Sequence, residues 1–164
     1  MSIVQEMMET ITKETKLIFD QAVSGESAFN DVIFDIQELM RKSGVELAED
    51  LFSFLDETIN ESTQRNKDWH IQRKADEKVV STTLGDIRLV RHYYQHKENQ
   101  TFTYLLDGVL KLAPHTRMDL GFKAALLDKA KDVSYQKIID SFPHSGTSSR
   151  STVMNVAHKE LDQR

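Results

Sequence analysis

The sequence predicts a mostly helical α+β protein with long N-terminal helices, a small antiparallel β-sheet and a C-terminal unit of helix-turn-helix type. Three observations carry this prediction. Apolar residues recur at helical spacing from Val4 to Ile59. The period changes from 3.6 to 2 at Trp69. From Asp119 to Leu161 the chain reads as three short amphipathic helices, with a Gly/Ser-rich break before the last. The expected parts are an acidic helical arm over 1–66, a small sheet over 67–107 and a helical unit over 108–164.

The first helix follows from Val4, Met7, Met8, Ile11, Thr15, Ile18 and Ala22, which keep helical spacing through 3–22. Ser24-Gly25 breaks it. A second helix begins at Ser27 and carries Phe29, Val32, Ile33, Ile36, Leu39, Met40, Leu47, Leu51, Leu55 and Ile59. Its phase passes Ser43-Gly44 without a slip, which predicts one long helix kinked or weakened at Gly44 rather than two. Packed only on the first helix, it leaves apolar surface exposed. Self-association follows as an expectation, with a homodimer formed through residues 27–62.

At Trp69 the alternation of Trp69, Ile71, Arg73 and Ala75 begins a strand pattern. Val79 to Leu84 and Ile87 to Tyr94 continue it. Gly85-Asp86 between the last two runs reads as a two-residue hairpin connection, because glycine supplies the positive φ of a twist-compatible turn. A third run, Thr101 to Leu106, follows the polar loop His96–Gln100. The expectation is an antiparallel sheet of three or four strands.

After Asp107-Gly108 a short helical piece around Val109 to Leu112 stops at Pro114. Helices follow over Asp119–Ala130 and over 134–142, with Asp119 and Ser134 as their N-caps. Tyr135, Ile138, Ile139 and Phe142 share one face of the second. In the last helix Val153, Val156, Ala157 and Leu161 form the inward face. Thr152, Asn155 and Lys159 are left outward, with Ser148, Ser149 and Arg150 at the helix start. These six polar residues are the candidate DNA contacts. Asn pairs with adenine edges, Arg with guanine or phosphate, and a helix N-terminus attracts a phosphate oxygen. The same pattern fits a three-helix tail with an ordinary polar surface, and the Pro143–Ser148 connection is longer than a tight turn.

The chain has 164 residues, 39% of them hydrophobic and 29% charged, as in an ordinary soluble globular protein. Its net charge of −5 is unevenly spread. Residues 1–64 hold four basic side chains against fourteen acidic ones, hence −10, and residues 65–164 hold seventeen against twelve, hence +5. A basic part joined to an acidic helical part suits a nucleic-acid-binding unit with a partner-binding arm, and equally a solvated acidic face. There is no cysteine, no basic leader and no long apolar run, so a cytoplasmic protein away from membranes is expected.

No Gly-x-Ser-x-Gly elbow, phosphate-cradling glycine loop or dinucleotide fingerprint occurs. His92 and His96 lie four apart on a strand and its loop, where that spacing does not converge on a metal. Neither a metal nor a cofactor is expected. Arg73, Lys74, Arg88 and His92 mix with Tyr93 and Tyr94 on the sheet, a combination that can cradle a nucleic-acid backbone. The alternative has aromatics in the core on one face and solvated basic groups on the other.

An ordered series of motifs runs through residues 65–160: Asp68-Trp69, Thr82 to Ile87, Arg91-His92-Tyr93-Tyr94, Tyr104 to Asp107, Leu112-Ala113-Pro114, Val133-Ser134-Tyr135 and Ser149 to Val156. The series resembles the N-terminal part of the ISLre-type insertion-sequence transposases of bacteria. The resemblance implies a region that recognises element ends, the terminal repeats in double-stranded DNA. In full-length members such a region precedes an RNase-H-like catalytic domain that holds divalent metal ions. This sequence stops at Arg164, so the chain by itself is expected not to be an enzyme and reads as a natural truncation, an excised domain or a fragment. Two alternatives stay open: a helical interaction module without DNA binding, and a free-standing repressor that occupies element ends.

Overall fold

The computed structural model describes residues 3–130, 134–145 and 149–161, and its contacts divide the chain into two units, 1–50 and 51–164. It is an α+β, mostly helical fold with one three-stranded antiparallel sheet. In the first unit, α1 (Ile3–Ser24) ends where Gly25 takes φ 77. There the Gly25 N–H bonds to the Ala22 carbonyl and the Glu26 N–H to that of Gln21. This paired closure needs a left-handed residue, which glycine adopts without a Cβ penalty. Helix α2 (Phe29–Glu61) starts two residues later than the sequence suggests, with the Asp31 carboxylate accepting from the Ala28 N–H at 3.0 Å. It runs unbroken through Gly44, so one helix and not two is correct. Leu39 and Ser43 are buried among the described residues of this unit, while Phe19, Phe29 and Phe34 are each more than 60% exposed.

The second unit takes the end of α2 and then α3 (Thr63–Asp68), capped by the Ser62 hydroxyl. Strands β1 (Trp69–Thr82), β2 (Gly85–His96) and β3 (Phe102–Thr103) follow, ordered β1-β2-β3. Two runs expected as separate strands are one strand, β1. Its register on β2 shifts between Ile71 and Arg73 and again between Arg73 and Asp76, with Ala75 at φ 55. The irregularity breaks the alternation that sequence reading depends on. The hairpin turn also moves. Gly85 pairs with Thr82, so Thr83-Leu84 form the turn and Gly85 is the first strand residue, at φ 136. The Thr82 hydroxyl closes it, donating to the Gly85 carbonyl at 2.9 Å and accepting from the Leu84 N–H at 3.1 Å.

The third strand is shorter than expected, because Leu105 and Leu106 begin α4 (Leu105–Val109) and Leu106 is wholly buried. The helical piece anticipated at Val109–Leu112 therefore lies four residues earlier. Next come α5 (Leu120–Ala130), α6 (Tyr135–Asp140) and α7 (Arg150–Leu161). Asp119 caps α5 as predicted, its Oδ1 accepting from the Phe122 N–H at 2.6 Å. Ser134 stands at the start of α6 without a side-chain capping bond.

Sheet and helices are joined at Ser81, which has no exposed surface. Its N–H donates to the Arg117 carbonyl at 2.9 Å and its carbonyl accepts from Asp119 at 3.0 Å. Its hydroxyl donates to Asp86 at 2.7 Å. Met118, held between those two backbone bonds, begins the core of Phe122, Leu126, Ile138 and Val153. Farther along β2, the Asp56 carboxylate accepts from the His92 N–H at 3.0 Å and meets its Nδ1 at 2.5 Å.

Tyr94 is wholly buried beside these groups, and its hydroxyl has no hydrogen-bond partner among the described residues. Burial first, then the Asp56 charge, push the phenol up to about 12, with Arg65 opposing. A raised phenol favours the folded state below the unfolded value of about 10, and that contribution is lost as pH climbs through 10 toward 12. Thermal melts between about pH 8 and 12 are expected to show this alkaline loss. Tyr94→Phe removes the orphan hydroxyl; it should be as stable or more stable by about 1 kcal/mol at neutral pH and lose less above pH ~10.

Candidate nucleic-acid interface

Helices α5, α6 and α7 pack on one another around Phe122, Leu126, Ile138 and Val153. Phe142, which follows α6, meets Phe122 edge-on at 5.0 Å, and the Lys129 ammonium lies 4.9 Å over its ring. Val153 and Ala157 are buried and Val156 is packed against the core, the inward face expected for α7. The side chains of Tyr135 and Leu161 lie outside the described residues. The connection into α7 is fixed near its start: the Ser145 N–H donates to the Phe142 carbonyl, and the His144 carbonyl accepts from Asp86 on the hairpin.

Of the six predicted contacts, Ser148 and the side chains of Arg150 and Lys159 lie outside the described residues. Ser149 caps α7, its Oγ accepting from the Thr152 N–H at 3.2 Å while its carbonyl accepts from Val153 at 3.1 Å. The Ser149 and Thr152 hydroxyls also bond each other at 2.9 Å. Two predicted contacts are thus brought together and share the capping arrangement. Asn155, one turn on, is exposed, with Met154 beside it 40% exposed. Ser149, Thr152 and Asn155 are neutral hydrogen-bonding groups, suited to base edges and phosphate oxygens.

The sheet residues sort differently from the expected split. Consecutive strand residues point to opposite faces, so Tyr93 and Tyr94 cannot share one. Tyr94 and His92 lie together, ring centroids 6.1 Å apart. Tyr93 lies with Arg73, whose guanidinium is 4.4 Å over its ring, and with Phe102 and Tyr104 at 5.8 and 4.7 Å. Each face therefore carries aromatic and basic groups. Arg88 is exposed and faces Glu77 at 3.7 Å. His92 meets Asp56, whereas His96 packs edge-on against Trp69 at 4.7 Å.

Arg91 is 5% exposed, a depth at which an unpaired guanidinium is not tolerated. Its Nη1 reaches both Asp107 oxygens at 2.6 Å, and its plane stacks on Tyr104 at 3.8 Å. Lys78 shares Asp107 at 3.9 Å and is pushed below the ordinary lysine range by burial, with Arg91 and Arg117 adding to the fall. Tyr104 donates to Asp76 at 2.8 Å, which holds that carboxyl below its usual range, Arg73 adding to the effect.

A family model described as "Uncharacterised protein family (UPF0236)" matches residues 25–160. The chain belongs to this family. The match begins at the Gly25 turn and runs through α7, with α1 ahead of it. UPF0236 proteins of Caldanaerobacter subterraneus subsp. tengcongensis are 34% and 35% identical to it over 126 residues. These alignments cover 77% of this chain and 27% of each relative. A further UPF0236 protein of that organism, 34% identical, is covered over 25% of its length. The chain thus spans about a quarter of the length of the relatives it matches. No solved structure matches.

In this UPF0236 chain, sequence reading missed Lys78, Arg91, Tyr104 and Asp107 as a group. The Arg91-His92-Tyr93-Tyr94 run was visible, but nothing local says that Asp107, sixteen residues on, closes over it. The cap of α7 gives a direct test. Ser149→Ala should lower thermal stability by about 1 kcal/mol, and Ser149→Asp, which can also cap, should retain it. Equal melting of all three proteins would remove Ser149 from that role.

Proposed function

We propose that this chain is the DNA-recognising N-terminal portion of an insertion-sequence transposase of ISLre type, reading element ends in the cytoplasm with α7. The observation that carries the reading is the sidedness of α7. Val153 and Ala157 are buried against α5 and α6, while Asn155 stands exposed on a helix whose first turn is capped by Ser149. That is the arrangement by which a recognition helix offers its N-terminal half to a major groove. The +5 balance of residues 65–164 supports it, since phosphate neutralisation supplies the sequence-independent part of affinity. Ser148, Ser149, Arg150 and Lys159 take phosphates in this reading, with Thr152 and Asn155 on base edges. Strand transfer belongs to the remainder of the longer proteins, and this chain contributes recognition alone.

Gel shifts with the terminal repeats of the element should show binding that weakens steeply as salt rises. Asn155→Ala should relax sequence preference by about 1–3 kcal/mol for a bidentate base contact while leaving the melting temperature unchanged. Absence of binding even at low salt, or an Asn155→Ala protein that melts early and keeps its specificity, overturns the reading.

The acidic arm has a second copy of the chain as its partner in this proposal. Phe29, Ile33, Ile36, Met40 and Leu47 are between 40% and 78% exposed and follow coiled-coil spacing along α2. Two recognition helices on one DNA then multiply modest affinities through effective concentration. Ile36→Asp with Leu47→Asp should yield a monomer by light scattering that binds DNA more weakly. A wild-type monomer at tens of micromolar, where an association of about −7 kcal/mol would register, excludes the dimer.

A further inference from the structure

The Arg91–Tyr93 face of the sheet does not close against the rest of its unit. It leaves a cleft of about 990 Å³ between β1, β2 and β3 on one side and the 107–117 segment on the other. Four cations line it, Lys78, Arg91, Lys111 and Arg117, against two carboxylates, Glu77 and Asp107. Both carboxylates are engaged. Asp107 is held by Arg91 and Lys78, and Glu77 faces Arg88. Lys111 and Arg117 are exposed at the wall and make no ion pair among the described residues. The lining therefore carries a positive excess, and a cleft with such an excess concentrates its counter-ions. The wall itself is held in an uncommon backbone conformation, with Lys111 at φ 52 and His115 at φ 62, of the kind that gathers at ligand clamps.

Anions alone do not account for the aromatics. Phe102 is 51% exposed at the edge of the sheet, stacked on Tyr93 with 17° between the rings, and Arg73 lies over Tyr93 in turn. A half-exposed ring in a stacked ladder beside a cationic cleft is a platform for a planar group attached to an anion. Duplex DNA keeps its bases stacked inside and presents only phosphates here. An unpaired strand presents both.

We infer that this cleft takes a single-stranded DNA segment, with phosphates on Lys111 and Arg117 and a base stacked on Phe102. The inference rests on the reading of the chain as a DNA-binding protein and extends it from duplex to opened strand. Recognition of element ends by α7 and capture of a displaced strand in the cleft are then separate contacts with separate residues.

Fluorescence anisotropy on the full chain at low salt tests this, using oligothymidylate of about twenty nucleotides and, in parallel, the terminal-repeat duplex. Wild-type protein should bind both. Lys111→Gln with Arg117→Gln should weaken oligothymidylate binding at least about tenfold, and Phe102→Ala about five- to hundredfold, with duplex affinity at the same salt falling by a clearly smaller factor in each case. Asn155→Ala should do the reverse. All these side chains are exposed, so melting temperatures should stay near wild type, which separates lost contacts from lost fold. Variants that bind oligothymidylate like wild type overturn the inference, as do variants that lose both ligands equally, which would make the cleft part of the duplex footprint. Displacement of oligothymidylate by thymidine monophosphate at equal nucleotide concentration overturns it in favour of a mononucleotide site. Duplex binding without oligothymidylate binding sinks the cleft and leaves the proposed function standing; binding of neither sinks both.

Discussion

The second unit is organised around the backbone of Ser81. One residue at the end of β1 exchanges two hydrogen bonds with the 117–119 segment and a third, through its hydroxyl, with Asp86 across the hairpin. A buried peptide group must be paired, and here the partner is neither strand nor helix but the residues that begin α5. Met118 enters the core between those bonds and Asp119 caps the helix directly after them. Asp86 then reaches the His144 carbonyl, so the connection into α7 is referred to the same hairpin. Strand pairing, a helix start and the approach to the last helix share one short stretch of chain.

Buried charge is handled in two ways on the two faces of β2. On one, Asp56 satisfies both the backbone and the ring of His92, so a carboxylate with 3% exposure is held by hydrogen bonds at one oxygen. On the other, Arg91 spends its charge on Asp107 and its flat face on Tyr104, and its Nε is without a partner among the described residues. Such pairs contribute little net stability because desolvation offsets attraction, but removing either partner leaves an uncompensated charge. The Arg91–Asp107 pair fixes which side chains stand at the cleft and where. Lys78 is disfavoured as a cation there chiefly by burial, with Arg91 and Arg117 adding to the fall and Asp107 opposing it.

What the sequence made legible and what it hid follow from range. The helical periods, the Asp119 cap and the inward face of α7 depend on residues three or four apart, and these were readable. The turn was misplaced by two residues because Gly-Asp is a stronger local signal than Thr-Leu, while the deciding bonds come from the Thr82 hydroxyl. β1 was divided because an alanine at positive φ shifts the alternation. Leu105 and Leu106 looked like the end of a strand and are the start of α4, where burial overrides a short apolar run. The Arg91–Asp107–Tyr104 group depends on pairings across many residues, and no periodicity carries such information.

The irregularity at Ala75 divides β1 into an outer piece, Trp69–Ile71, and an inner one, Asp76–Thr82, each in its own register with β2. The inner piece is committed, since losing one residue from it would turn Ser81 to the wrong face and detach α5. Between Ile71 and Asp76 the ladder keeps only the Arg73–Tyr93 pair, with a register shift on either side of it, so a residue gained or lost there displaces Arg73 from the Tyr93 ring and leaves the inner register intact. The hairpin works as a ruler with an expansion joint, its two graduated ends each held in register and the slack kept between them.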